Sequence, residues 1–150
     1  MIKQSSLVLL NLLSRKVICR DSSWYEEGEE LRRLALESGV YPNGPLVMTA
    51  AEVPHEPEFT EYTVYLPVSS PLSVDGDDSP GFLEMLQLRR TLVFRHYEAD
   101  EPFTHTCQMI EAYAQQHRII LDKPFYHVCL EVNGDVFFDI HAPVKEVTVK

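Results

Sequence analysis

The order of elements along this chain is written twice, and that duplication limits the folds open to it. Arg15-Lys-Val-Ile-Cys-Arg20 and Arg90-Thr-Leu-Val-Phe-Arg95 are short apolar runs framed by arginines, at an offset of 90 − 15 = 75. Each reads as a buried strand. A helix follows each run. In the first, Ser23 stands three residues before Glu26, a capping-box spacing, while Trp24, Leu31, Leu34 and Ala35 fall near one face and Gly39 ends the helix. The second takes Asp100 as N-cap and Pro102 in its first turn, where a missing N–H costs nothing. Phe103, Cys107, Ile110 and Ala114 form its apolar stripe. A proline and a strand pair come next in both halves. Pro45-Leu-Val-Met-Thr-Ala leads to Glu61-Tyr-Thr-Val-Tyr-Leu-Pro-Val68, and Pro124-Phe-Tyr-His-Val-Cys-Leu leads to Phe137-Phe-Asp-Ile-His-Ala-Pro-Val144. The closing Pro-Val pairs sit at 143 − 67 = 76.

These patterns predict an α+β fold of duplicated βαββ modules, about 3–70 and 84–148, within a single domain over 1–150. The sheet is expected to be mostly antiparallel, with helices on one face. Neither module would be stable alone, and pairing them would bury a common core. The join, 69–81, is rich in Ser, Pro, Asp and Gly and reads as a solvated linker; the same holds for its acids Asp75, Asp77 and Asp78. Pro54-His-Glu-Pro57 is long for a hairpin, whereas Asn133-Gly134 is a two-residue type I′ signal.

Charge excludes some functions. The 150 residues carry a net charge of −10, which argues against a nucleic-acid module, since phosphate contacts need Lys and Arg, and against anionic membrane surfaces. Leu7 to Leu13 is apolar but interrupted by Asn11 and too short to span a bilayer, so it reads as a strand. Three cysteines without a CxxC spacing (Cys19, Cys107, Cys129) suit a reducing, cytoplasmic setting. No Walker loop, GxSxG, GxGxxG or HExxH occurs. No cofactor or metal is expected.

With Asn133 and Gly134 at the turn, Tyr126 faces His141, Val128 faces Asp139 and Leu130 faces Phe137. The other side carries His127, Cys129, Glu131, Val136, Phe138 and Ile140 and is the better helix-facing core. Tyr126, Asp139, His141 and Phe137 then occupy the open face, matched in the first module by Glu61, Thr63 and Tyr65. An aromatic surface with one carboxylate suits a planar or cationic organic ligand: rings supply area and cation–π attraction, the acid orientation. The plain alternative for Asp139 is a solvated strand residue, and for His141 a surface residue opposite Tyr126. His127 and His141 fall on opposite faces and cannot chelate a metal together. Arg15, Arg20, Arg90 and Arg95 flank strands and are expected to pair with the surplus acids.

The duplicated βαββ order, the closing Thr63-Val-Tyr-Leu-Pro-Val and Asp139-Ile-His-Ala-Pro-Val motifs, and the Lys123-Pro-Phe-Tyr lead-in resemble the GyrI-like domains. That family includes the effector-binding domains of multidrug-responsive transcription activators and a DNA gyrase inhibitor. Within it the chain is similar to standalone bacterial domains, some beside secreted-toxin loci of Gram-positive bacteria. The resemblance implies two modules related by a pseudo-two-fold axis with a ligand cleft between them. Many members carry a cleft glutamate four residues before the final Pro; Asp139 occupies that position, one methylene shorter. Some members hydrolyse strained cyclopropane compounds, but only Asp139 maps onto their acid, and no second catalytic group is evident. No DNA-binding helices are expected ahead of the domain.

Three functions follow. The first is a non-enzymatic module binding a small, lipophilic ligand, neutral or cationic, through Asp139, Tyr126, His141, Phe137, Tyr65, Thr63 and Glu61. The second is a protein-interaction component, a homodimer or an adaptor for a toxin or secretion partner, its acidic surface suited to a basic one. The third is a hydrolase of a reactive small molecule, with Asp139 assisted by Tyr126 or His141.

Overall fold

The computed structural model describes residues 1–20, 24–73, 80–97 and 102–145. Its elements are β1 (Lys3–Cys19), α1 (Trp24–Glu37), β2 (Val47–Glu52), β3 (Thr60–Pro67), β4 (Gly81–His96), α2 (Phe103–Gln116), β5 (Tyr126–Val132) and β6 (Asp135–Pro143). The order is βαββ, twice. The chain forms two compact units, one of Val8–Gln87 and one of Met1–Leu7 with Leu88–Lys150, so β1 and β4 each contribute to both. In the first unit β3 lies between β1 and β2, antiparallel to each. In the second, β6 lies between β4 and β5, again antiparallel to each. The expected α+β class and antiparallel pairing are found.

The backbone hydrogen bonds correct the offset of the repeat. Val68 N–H donates to the Asn11 carbonyl at 2.8 Å, and Val144 N–H donates to that of Arg90 at 2.9 Å. Val40 N–H reaches the Ala35 carbonyl, and Ile119 N–H that of Ala114. The first strands therefore match at 90 − 11 = 79, while the closing strands keep the expected 76. Arg15, opposite Val64, corresponds to Phe94, opposite Ile140, and not to Arg90. The framing arginines mislead because a slip of four residues preserves the in–out alternation of a strand. The three-residue change falls in the hairpins, a long β2–β3 loop against the tight Asn133-Gly134 turn, whose φ values of 53° and 86° suit type I′.

Other local readings shift slightly. Leu7–Leu13 and the Arg15 run are one strand, β1, with Asn11 at φ 55° inside it. Pro102 is the N-cap residue of α2, extended at ψ 138°, rather than part of its first turn, because helical geometry begins at Phe103. Ser23 and Asp100 lie outside the described residues, as do 74–79 of the linker with its three aspartates. Where the linker starts, Ser69 is tied to Tyr41: its N–H donates to the Tyr41 carbonyl at 2.8 Å, and its Oγ accepts from the Tyr41 N–H at 2.9 Å.

Each helix covers one face of its own strands. In the first unit α1 buries Trp24, Gly28, Leu31 and Ala35. Leu46, Met48, Val64 and Leu66 are each at most 1% exposed. Gly28 lies so close to the Leu46 side chain that a Cβ would collide with it. In the second unit α2 buries Thr106, Ile110 and Ala114. The Phe103 ring meets Phe138 edge-on at 4.8 Å and His127 at 4.9 Å, which marks their side of the sheet as the helix side.

Candidate functional site

The β5–β6 register is the expected one: Tyr126 opposite His141, Val128 opposite Asp139, Leu130 opposite Phe137. Since His127 and Phe138 lie under α2, alternation puts Tyr126, Phe137, Asp139 and His141 on the other face. β4 continues that face with Thr91, Val93 and Arg95, and Arg95 stands directly opposite Asp139.

The middle of this face is closed rather than open. Thr91 is 1%, Val128 5% and His141 7% exposed. His141 Nδ1 lies 3.0 Å from Thr91 Oγ1, so its polar edge is engaged inside the protein. Burial lowers the His141 pKa, with the nearby Asp139 charge opposing the shift. The ring is therefore held in its neutral form. Tyr126 is half-buried, and burial followed by the Asp122 charge raises its pKa.

The accessible end of the face is where the acid sits. Arg95 Nε donates to Asp139 Oδ1 at 2.7 Å and Arg95 Nη2 donates to Oδ2 at 3.0 Å. The same guanidinium lies 4.8 Å from the centre of the Phe137 ring, and Tyr97 packs beside that ring at 5.9 Å. The paired carboxylate raises the Arg95 pKa further. One guanidinium thus forks onto a carboxylate by two charge-assisted hydrogen bonds while lying over an aromatic face.

The three candidates in the first unit lie on β3, facing away from Val64 and Leu66. Glu61 pairs with Lys16 at 3.8 Å, both ends well exposed. Thr63 stands between Lys16 and Thr49, and Tyr65 between Ser14 and Val47. Thr63 matches Asp139 and Lys16 matches Arg95, so the first unit has no acid at the matching position. The structure thus gathers Asp139 and Phe137 around Arg95, joins His141 to Thr91 instead, and keeps Glu61, Thr63 and Tyr65 within their own unit.

A cavity of about 570 Å³ in the second unit includes Arg95, His96, Tyr97, His105, Thr106 and Asp139 in its lining. His96 is 4% exposed, places Nδ1 2.8 Å from Thr106 Oγ1 and leans its ring on Phe103. Among the described residues its Nε2 has no hydrogen-bond partner. The volume falls in the range of small-molecule sites. Reading the sequence missed His96, Tyr97 and Thr106, and it paired Arg95 with acids in general but not with Asp139. That partner follows from the β4–β6 register, which joins strands separated by a helix and a hairpin.

Among the described residues no group of three His, Cys, Asp or Glu is placed to hold a metal. The cysteines form no disulfide, and burial pushes the Cys107 thiol up to about 11, which keeps it protonated and poorly nucleophilic at neutral pH. No described helix is long and apolar enough to cross a membrane.

The sequence matches no family model and no curated protein. Solved structures do share the fold. A complex of EcmrR with DNA aligns with a TM-score of 0.74 at 10% identity, over 97% of this chain. The chain spans only 58% of that protein. A hydrolase from Listeria innocua aligns with a TM-score of 0.61 at 10% identity, over 95% of this chain and 92% of its own. SAV2435 bound to tetraphenylphosphonium aligns with a TM-score of 0.54 at 13% identity, over 97% of this chain and 94% of its own. These likenesses agree with the GyrI-like fold expected from the sequence motifs.

Proposed function

We propose that this chain is a non-enzymatic binding module for a small, partly apolar molecule, seated in the second-unit cavity beside Asp139. One observation carries the reading: the cavity brings the Asp139 carboxylate, the Tyr97 ring and room for a drug-sized ligand to one accessible place, with the Phe137 ring packed beside Tyr97. The same fold in SAV2435, whose structure holds a lipophilic cation, supports it. Cationic character in the ligand is the finer part of the proposal, and it rests on Asp139 and the Phe137 ring. Tyr126, opposite the buried His141, lies outside the cavity lining, and Glu61, Thr63 and Tyr65 belong to the first unit.

The hydrolase reading is less well supported by the geometry, although one structure of this fold is described as a hydrolase. Both Asp139 oxygens accept hydrogen bonds from Arg95, and His141 is engaged with Thr91, so neither is poised to move a proton to a ligand. No specific contact favours the protein-partner reading.

The test is a thermal-shift and calorimetric screen of the full chain with lipophilic cations, including tetraphenylphosphonium, alongside neutral and anionic aromatics. Saturable binding at one site, weakened for cations in Asp139→Asn, is expected. A screen in which no compound of any charge shifts the melting temperature or releases heat overturns the proposal.

A further inference from the structure

We infer that Arg95 is a built-in competitor for the cation position: a cationic ligand reaches Asp139 and the Phe137 ring only by displacing the chain's own guanidinium. The inference rests on the ligand-binding reading above and names what sets the selectivity of that site.

Two attractions would hold an organic cation here, the Asp139 carboxylate and the face of Phe137. Arg95 already uses both, with two hydrogen bonds to the acid and its Cζ 4.8 Å over the ring. It does so from the strand position directly across from Asp139, so the guanidinium is tethered within reach at all times. The repeated fold does not require the pair. At matching positions the first unit has Lys16 opposite Thr63, and Lys16 pairs with Glu61 instead. Arg95 is also able to leave. Its side chain is 44% exposed, so solvent can take up the displaced charge, and screening keeps the pair from being a strong one.

A tethered competitor lowers apparent affinity by the fraction of time the site stands open. For a partly exposed ion pair the expected penalty is about two- to fivefold. The factor is the same for every ligand that needs Arg95 to leave, and a ligand that uses neither Asp139 nor the Phe137 ring escapes it.

Calorimetric titration of the full chain with tetraphenylphosphonium tests this. Arg95→Gln is expected to bind about two- to fivefold tighter than wild type, and Arg95→Gln with Asp139→Asn is expected to lose that gain. Removing any nearby positive charge could favour a cation through the general field. Arg89→Gln controls for this, because Arg89 is exposed on the same strand and does not line the cavity; its affinity should stay at the wild-type value. Arg95→Lys keeps the charge but not the fork, so a smaller gain is expected, and it serves if Arg95→Gln folds poorly. Equal or weaker binding by both Arg95 variants overturns the inference, as does a gain in Arg89→Gln that equals the gain in Arg95→Gln. Should neutral or anionic aromatics bind while the cation binds neither wild type nor Arg95→Gln, the competitor falls and the binding module stands. If nothing binds any variant, both fall.

Discussion

Arg95 and Asp139 face each other across β4 and β6, and the guanidinium closes on the carboxylate through Nε–Oδ1 at 2.7 Å and Nη2–Oδ2 at 3.0 Å. The pair lies at the rim, with the side chains 44% and 20% exposed. Solvent screening then limits its contribution to stability to about 0–1 kcal/mol, despite good geometry. Arg95→Gln and Asp139→Asn are each expected to shift the free energy of urea unfolding by less than about 1 kcal/mol. A larger loss in either would make the pair a structural strut.

His141 gives the fold a pH dependence. Burial lowers its pKa from the ordinary value of 6.5, so the folded chain holds fewer protons than the unfolded chain as pH falls below that value. The stability this neutral ring contributes is complete above pH 6.5 and is lost progressively as pH falls through the lowered folded value. Melting temperature should therefore drop between pH 7 and pH 5, and the drop should be shallower in His141→Asn. Equal slopes would place the titration elsewhere. Thr91→Val, which strips the partner from His141 Nδ1, should cost about 1–3 kcal/mol at neutral pH.

Gly28 is a packing glycine. It sits inside α1, where alanine would ordinarily gain about 1 kcal/mol of helix propensity. A Cβ there meets three atoms of Leu46, which is itself 1% exposed and has little room to move. Overpacking of this kind costs about 1–3 kcal/mol. Gly28→Ala is expected to destabilise, and adding Leu46→Ala should make the pair markedly less damaging than the sum of the singles. Additive losses in a double-mutant cycle would show that the two do not touch in solution.

Gly134 is needed for its backbone alone. Its φ is 86°, and an added Cβ would meet nothing within 4 Å. Gly134→Ala should cost about 1 kcal/mol through strain at positive φ, and Asn133→Gly should be close to neutral. Chemical denaturation of the two variants separates these outcomes.

Much of the fold is legible residue by residue. Pro67-Val68 and Pro143-Val144 mark the end of each module, and their backbone bonds to Asn43 and Asp122 are the same bond made twice. Asn133-Gly134 sets the hairpin, and two-residue turn chemistry then determines every cross-strand pair down to Tyr126 and His141. The arginine frames were a false guide, because alternation survives any even slip. Among the site residues, the face of Asp139 could be read from parity. The loss of His141 to Thr91, and the filling of the Asp139 position by Arg95, could not.

The chain's own order of residues determined which elements form, how β5 meets β6 and on which side of the sheet each side chain stands, because turn geometry and strand alternation are local rules. Only tertiary structure decided that the middle of the supposed open face is buried and that its acid is already occupied. Both outcomes depend on which strand becomes the third neighbour, and β4 is brought beside β6 across a helix and a hairpin, beyond the reach of any local rule.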